Sequence, residues 1–389
     1  MPRLSFNRRE VAGAFGDIGT DLPLIVGILL ATKLDAAGVF IAYGLVQIGT
    51  GLLYGLPMPV QPLKAMAVVV IAGHATGGQL QLAGLMIGGL MLLLAASGAL
   101  DRLQRMIPVV VVRGVQAGLG LALARTALGL AGREGPWGWA AAAAAVALLS
   151  WFRGHRRIPG ALLVIGGGAL WAAVYRLNWP AVAHGFGWSW PHPANLPWDQ
   201  WVTVIVLLVL PQLPLSLSNS VIATQRTVQD FFPEKSLTLR GIGFTYSAMN
   251  LVVPWLGGIP VCHGCGGLAG YYALGARTGG SVVIYGSIYV VVGALFSGAF
   301  QEIVQVFPSP VLGAVLLVEA GMLLLLLREL GSSTARLALA TGVALVCVFA
   351  PQGYLTGLAV GTGVFYALGR TRVGVDLNSP GAVSGLRSS

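Results

Sequence analysis

The sequence predicts an all-α polytopic membrane protein of 14 transmembrane segments in a 7+7 inverted repeat, with broken half-helices and short extended stretches in spans 3 and 10. Three observations lead there. Only 9% of the 389 residues are charged, against about 25% in ordinary globular chains, while 56% are apolar. Uncharged runs longer than about 18 residues, the length a helix needs to cross a bilayer, recur along the whole chain. The two halves also echo each other at an offset of about 202 positions, where Gly55-Leu56-Pro57-Met58-Pro59 meets Gly257-Gly258-Ile259-Pro260-Val261 and Pro108 meets Pro310. Seven is odd, so a second copy of a seven-span unit inserts upside down.

Apolar runs between charge, Pro and Gly place the first seven spans near residues 11–32, 36–55, 59–75, 81–100, 106–130, 136–152 and 160–176. A Pro- and Trp-rich stretch at 177–198, with Trp179, Trp188, Trp190 and Trp198, reads as an extracytoplasmic loop at the lipid–water interface. The second seven follow near 199–224, 237–256, 261–276, 281–299, 308–328, 334–350 and 353–369. Residues 1–176 and 199–370 are thus the two repeats, and 371–389 a short cytoplasmic tail. Basic residues test this count, because one wrong span would swap the sides of every later loop. With a cytoplasmic N-terminus the inner segments collect Arg8, Arg9, Arg153, Arg156, Arg157 and twelve others, and the outer ones only Lys33, Arg133 and Arg176. Both termini are therefore expected in the cytoplasm of a multi-pass protein of the cell membrane.

The formal charge of +10 does not point to nucleic acid, since the basic residues are scattered one to three at a time between apolar runs. The three cysteines are too few for a disulfide framework. Residues 1–10 are basic, but Asp17 and Asp21 follow without a small-residue cleavage pattern, so they lead into a retained first span rather than a signal peptide.

The chemistry is expected at the broken spans. Three Pro in Pro57-Met58-Pro59-Val60-Gln61-Pro62 cannot sit inside one helix, so the chain runs extended there and a helix restarts at Leu63-Lys64. Gly257-Gly258-Ile259-Pro260-Val261-Cys262-His263-Gly264-Cys265-Gly266-Gly267 repeats the logic with Gly. Two helix N-termini then face each other at membrane depth, each with unpaired N–H donors and the positive end of a dipole, which suits an anion. Lys64, one of three lysines, lies in the first turn of one of them. In span one, Asp17, Thr20 and Asp21 fall within one helical turn; the two acids are candidates for pairing with Lys64 or carrying a coupled proton. In span eight, Ser216, Ser218, Asn219 and Ser220 offer neutral donors. Cys262-His263-Gly264-Cys265 has zinc-ligand residue types, but no second ligand cluster exists in the chain, so neither metal nor cofactor is expected. His263 reads as an anion donor or a proton carrier.

At these two broken spans the sequence resembles the molybdate-transporter family, relatives of the sulfate permeases within the fourteen-span nucleobase-transporter-like fold. Pro59-Val60-Gln61-Pro62-Leu63-Lys64-Ala65 looks like its first signature. Pro260-Val261-Cys262-His263-Gly264-Cys265-Gly266-Gly267-Leu268-Ala269 with Gly275-Ala276-Arg277-Thr278-Gly279 looks like its second, and Gly16-Asp17-Ile18-Gly19-Thr20 also fits. Leu63, Tyr271 and Leu274 depart from the family's usual Met, Gln and Phe. The resemblance implies a core domain of spans 1–4 and 8–11 that carries the site and moves against a gate domain of spans 5–7 and 12–14. It implies import of a tetrahedral oxyanion, molybdate before sulfate or tungstate, by alternating access, with protons as a candidate coupling ion and a homodimer left open. Thr20, Gln61, Pro62, Leu63, Lys64, Ser218, Asn219, Cys262, His263, Gly264, Cys265, Gly266 and Gly267 then surround the ligand, with no catalytic residue. The roughly twenty residues after span fourteen are too few for the regulatory domain that sulfate permeases usually append. A nucleobase transporter of the same fold should carry an acid in spans eight and ten, which this chain lacks there; a passive anion channel and a Cys/His metalloenzyme are the other readings.

Overall fold

The computed structural model describes residues 4–152, 160–331, 333–350 and 353–368; the basic stretch 153–157 and the tail expected at 371–389 lie outside them. The segment expected as the first span is two helices, Arg8–Gly13 (α1) and Ile18–Thr32 (α2), joined by a turn. The break lies where the chain crosses its second half at backbone contact: a Cβ on Gly16 would overlap the Gly270–Tyr271 peptide. Ala36–Tyr54 (α3) starts under the Asp35 side chain, which accepts from the N–H of Ala37 and Gly38, and ends on left-handed Gly55. Residues 57–60 are extended, strand Gln61–Pro62 (β1) follows, and helix resumes as Lys64–Ile71 (α4).

Gly77–Ala96 (α5) opens with a reciprocal Thr76/Gln79 capping box, then come Ala99–Met106 (α6), Val109–Gly132 (α7), Gly135–Trp151 (α8) and Gly160–Tyr175 (α9). The Trp-rich stretch expected as a loop contains a further helix, Trp179–Gly185 (α10), and Gly187 and Ser189 donate backbone N–H bonds to Leu295 and Ala294. The segment expected at 199–224 is a continuous helix, Trp198–Phe231 (α11), seven residues longer at its end than expected. Leu239–Val252 (α12), strand Val261–Cys262 (β2), Cys265–Ala273 (α13), Gly280–Val306 (α14), Ser309–Leu325 (α15), Thr334–Phe349 (α16) and Gly353–Leu368 (α17) complete the chain. The strands pair antiparallel, Gln61 opposite Cys262 and Pro62 opposite Val261.

Among the described residues six helices are long and apolar enough to cross a membrane: α3, α5, α7, α11, and the segments Gly280–Phe300 and Ser309–Leu330. Shorter apolar helices add to them, as expected of a multi-pass membrane protein. Helix α3 packs along α14 and α5 along α12, while α4 lies on α2 and the end of α11 on α13. A second group joins α7 to α15, α16 and α17, with α8 on α15. Buried Glu10 fastens the turn before α14, its carboxylate accepting the N–H groups of Arg277 and Thr278 at 2.9 Å each and of Ser281 at 3.2 Å. A carboxylate at a helix start is favoured by both the unpaired donors and the dipole.

Candidate functional site

The two extended stretches cross in the interior, where every backbone polar group needs a partner. Flanking helices supply them. Gln47 Nε2 donates to the Val60 carbonyl and Thr50 Oγ1 to that of Met58. Asn250 clips β2 from both sides, donating to Val261 O at 2.7 Å and accepting from Val261 N at 2.9 Å. Gln81 donates to the carbonyls of Gly257 and Gly258, and Leu63 N–H closes the crossing on Pro260 O.

From this crossing α4 and α13 set out, one behind each of the two paired strands. In α4 the Ala65 N–H is taken by Gln212 Oε1 at 2.9 Å, and Gln212 in turn donates to Ser216, whose hydroxyl lies 2.7 Å from that of Tyr246. Lys64 is partly exposed. It stands within electrostatic reach of both Cys262 and Cys265. In α13 the sequence of burial is informative: Gly264 is buried, Cys265 half-buried, Gly266 exposed and Gly267 buried again. A Cβ on Gly266 would meet nothing within 4 Å, so the second residue of this helix borders open space. Cys265 donates its thiol hydrogen to Asn219 Oδ1 at 3.2 Å.

Asn219 is presented by a widened turn. Pro211 and Pro214 remove two backbone donors from α11, and the helix loosens to π geometry at Ile205–Val209 and Ser216–Ala223. The Thr224 hydroxyl then donates to Asn219 O, five residues back.

Several expectations are corrected here. Asp17 caps α2 and Asp21 follows one helical turn later, its N–H on the Asp17 carbonyl, but the two carboxylates have different partners. Asp17 receives Gln61 Nε2 on both oxygens, at 2.7 and 2.8 Å, and lies against Gly267, where a Cβ would collide with its carboxylate. Asp21 is held instead by the hydroxyls of Tyr43 and Tyr285. Gln61 therefore spends its amide donor on Asp17, and its Oε1 is buried beside Gly264 without a hydrogen-bond partner. His263 was expected as an anion donor or proton carrier. Its ring is fully buried, with Nδ1 on Pro59 O at 3.0 Å and Nε2 on Thr245 Oγ1 at 2.9 Å, and Thr245 meets Tyr54. With the proton on Nδ1, every contact in that chain has one donor, so His263 ties the two halves together.

Cys262, Pro62 and Leu63 are buried members of the crossing. Thr20 is partly exposed in the first turn of α2, and among the described residues no hydrogen bond joins its hydroxyl to the group. The Ser218 side chain lies outside the described ones. Among the described residues no three His, Cys, Asp or Glu side chains gather as a metal ion would require. Sequence reasoning missed Gln47, Gln212, Asn250, Tyr43 and Tyr285. Their signal was present, since an amide alone in an apolar span has to be satisfied by something.

A separate cavity of about 120 Å³ lies among α2, α9, α14 and α15, lined by Leu22, Val26, Ile165, Phe300, Phe307 and other apolar side chains. It offers no donor to an anion. The partly exposed Lys64, Asn219, Cys265 and Gly266 are the polar alternative.

The model of a family described as molybdate transporters of the MFS superfamily matches residues 9–123 and 204–324, which contain both strands and both helix starts. The chain is 35% identical to molybdate transporter 2 of Arabidopsis thaliana over 79% of this chain and 76% of that one. It is 32% identical to molybdate transporter 1 of the same plant, covering 83% and 80%. Among solved structures it resembles SLC26A9, with a TM-score of 0.68 at 14% identity, covering 92% of this chain but only 64% of the other. It also resembles the transmembrane domain of a cyanobacterial bicarbonate transporter, BicA, with a TM-score of 0.66 at 15% identity, covering 91% and 97%. These structural likenesses speak for the fold alone. The sequence matches carry the assignment, and the chain belongs to the molybdate transporter family.

Proposed function

We propose that this protein imports a tetrahedral oxyanion, molybdate in the first place, by secondary active transport with alternating access. The anion sits between the first turns of α4 and α13. The observation that carries the reading is the pair of helix starts joined by the antiparallel strands, with Gly266 open and Lys64, Cys265 and Asn219 partly exposed around it. Unpaired N–H groups and positive dipole ends favour an anion there, and Lys64 adds a full charge. Asp17 and the Gln61 carbonyl occupy the Gly264/Gly267 side of α13, so the guest takes the side of Cys265 and Gly266.

We read the chain as 14 spans in two inverted sevens, with α4 and α13 as half-helices at membrane depth. The packing supports this: α3 on α14 and α12 on α5 are one contact seen twice if the halves are exchanged, and so are α16 on α7 and α8 on α15. Gln47 and Asn250 likewise serve Val60 and Val261 from equivalent helices. The group around α3, α5, α12 and α14 is then the core, and the group around α7, α15, α16 and α17 is the gate.

Purified protein in liposomes is expected to take up labelled molybdate saturably and to concentrate it above the outside level, with tungstate and sulfate as competitors. Uptake that only dissipates a gradient would make it a channel. No saturable uptake under any imposed ion gradient would refute transport of this anion.

A further inference from the structure

Behind the strand crossing lies a polar network in which one tyrosine hydroxyl, that of Tyr43, reaches two acceptors at once. Asp21 is completely buried. Its Oδ1 accepts from Leu22 N–H at 2.6 Å and lies 2.9 Å from the Tyr285 hydroxyl, which is 3.0 Å from that of Tyr289. Its Oδ2 lies 2.5 Å from the Tyr43 hydroxyl, and the same hydroxyl reaches the Val60 carbonyl. Gln47 Nε2 stands 3.3 Å from Tyr43 Oη, 3.2 Å from Val60 O and 3.4 Å from Tyr271 Oη.

A tyrosine hydroxyl has a single hydrogen, and a carbonyl and a carboxylate only accept. With Asp21 ionised, the Tyr43 hydrogen serves Oδ2 or Val60 O, and the other close oxygen pair is left with nothing between. With a proton on Oδ2 the chain closes: Oδ2–H donates to Tyr43 Oη, and Tyr43 O–H donates to Val60 O. The groups facing Asp21 are Tyr43 and Gln47 on α3, Tyr285 and Tyr289 on α14, and Tyr271 on α13, with Asp17 one turn earlier on α2. None of these is a cation, and Asp17 is a second acid. A buried carboxyl in such surroundings is costly when charged and marks function in a membrane protein.

We propose that Asp21 carries a proton on Oδ2 in this conformation, and that this is the proton the transporter moves with each anion. The proposal rests on the oxyanion reading above. Val60 immediately precedes Gln61 in the crossing strand, so proton and guest act on one element. When the proton leaves for water, the Tyr43 hydrogen turns to the carboxylate and Val60 O keeps only Gln47. One O–H bond to Asp21 is broken on one side of the membrane and one is formed on the other, and nothing else changes covalently.

The test is Asp21→Asn, whose amide N–H can donate to Tyr43 as the protonated acid does. Molybdate binding is expected within about threefold of wild type, equivalent to less than 1 kcal/mol, and molybdate exchange across the liposome membrane should continue. Accumulation driven by an imposed pH gradient should fall to the level seen without one. A D21N protein that still concentrates molybdate on a pH gradient overturns the proposal. Infrared spectra decide independently of transport and of how the variant folds. Wild type should show a protonated carboxyl stretch that shifts in Tyr43→Phe, where the hydroxyl is removed, and its absence from wild type also overturns the proposal. Failure of wild type to bind molybdate would instead strike the oxyanion reading, with the infrared result standing on its own.

Discussion

Gly266→Val is expected to reduce molybdate uptake at least about 100-fold, a loss of roughly 3 kcal/mol of binding, while thermal unfolding stays within a degree or two of wild type. The expectation comes from the contrast between neighbouring glycines. At Gly266 an added Cβ meets nothing within 4 Å, so the fold has room for a branched side chain. In the site we propose, that room is where the oxyanion approaches the N–H groups of the first turn of α13. At Gly264 the backbone is extended, with φ −132°, and accepts alanine without strain, yet the new methyl would land on the Gln61 carboxamide, which Asp17 pins. Gly264→Ala should therefore cost about 1–3 kcal/mol of stability, as overpacking does. Normal uptake by Gly266→Val would place the anion elsewhere.

Lys64→Met is expected to raise the Kd for molybdate about 100-fold, and Lys64→Arg to restore most of the affinity. Two unit charges in contact at about 4 Å interact by roughly 4 kcal/mol where the effective dielectric constant is about 20. A divalent guest draws more, and the desolvation of the ammonium group takes part of it back, so a net loss near 3 kcal/mol is the right order. Equilibrium binding to detergent-solubilised protein measures it. An unchanged Kd would mean that Lys64 holds α4 in place and leaves the anion to backbone donors.

What could be read from the chain and what could not divide along the range of the interactions. The membrane class and the two short non-helical stretches follow from local chemistry: too few charges to face water, and Pro57-Met58-Pro59 or Gly257-Gly258 where helix cannot continue. The strands Gln61–Pro62 and Val261–Cys262 and the helix starts at Lys64 and Cys265 fall where those breaks put them. The roles of individual polar side chains depended on partners in other elements, from 18 to 204 residues away. Nothing local says that His263 will be consumed by Pro59 and Thr245, or that Gln61 will turn its amide donor to Asp17. Asp17 and Asp21 do sit one helical turn apart, but nothing local says that Gln61 will take the first and Tyr43 with Tyr285 the second. The π turns of α11 and the help that Gln212 gives to α4 were likewise invisible to a periodicity of 3.6.

We propose that an oxyanion is held between the first turns of α4 and α13. Molybdenum and tungsten scatter anomalously, so a structure of the protein with molybdate or tungstate bound locates the metal atom without interpretation of weak density. One peak is expected, within hydrogen-bonding reach of the N–H groups of Cys265 and Gly266 and of the Lys64 ammonium group. A peak among the apolar side chains of α2, α9, α14 and α15, or anywhere that leaves both helix starts untouched, would contradict it.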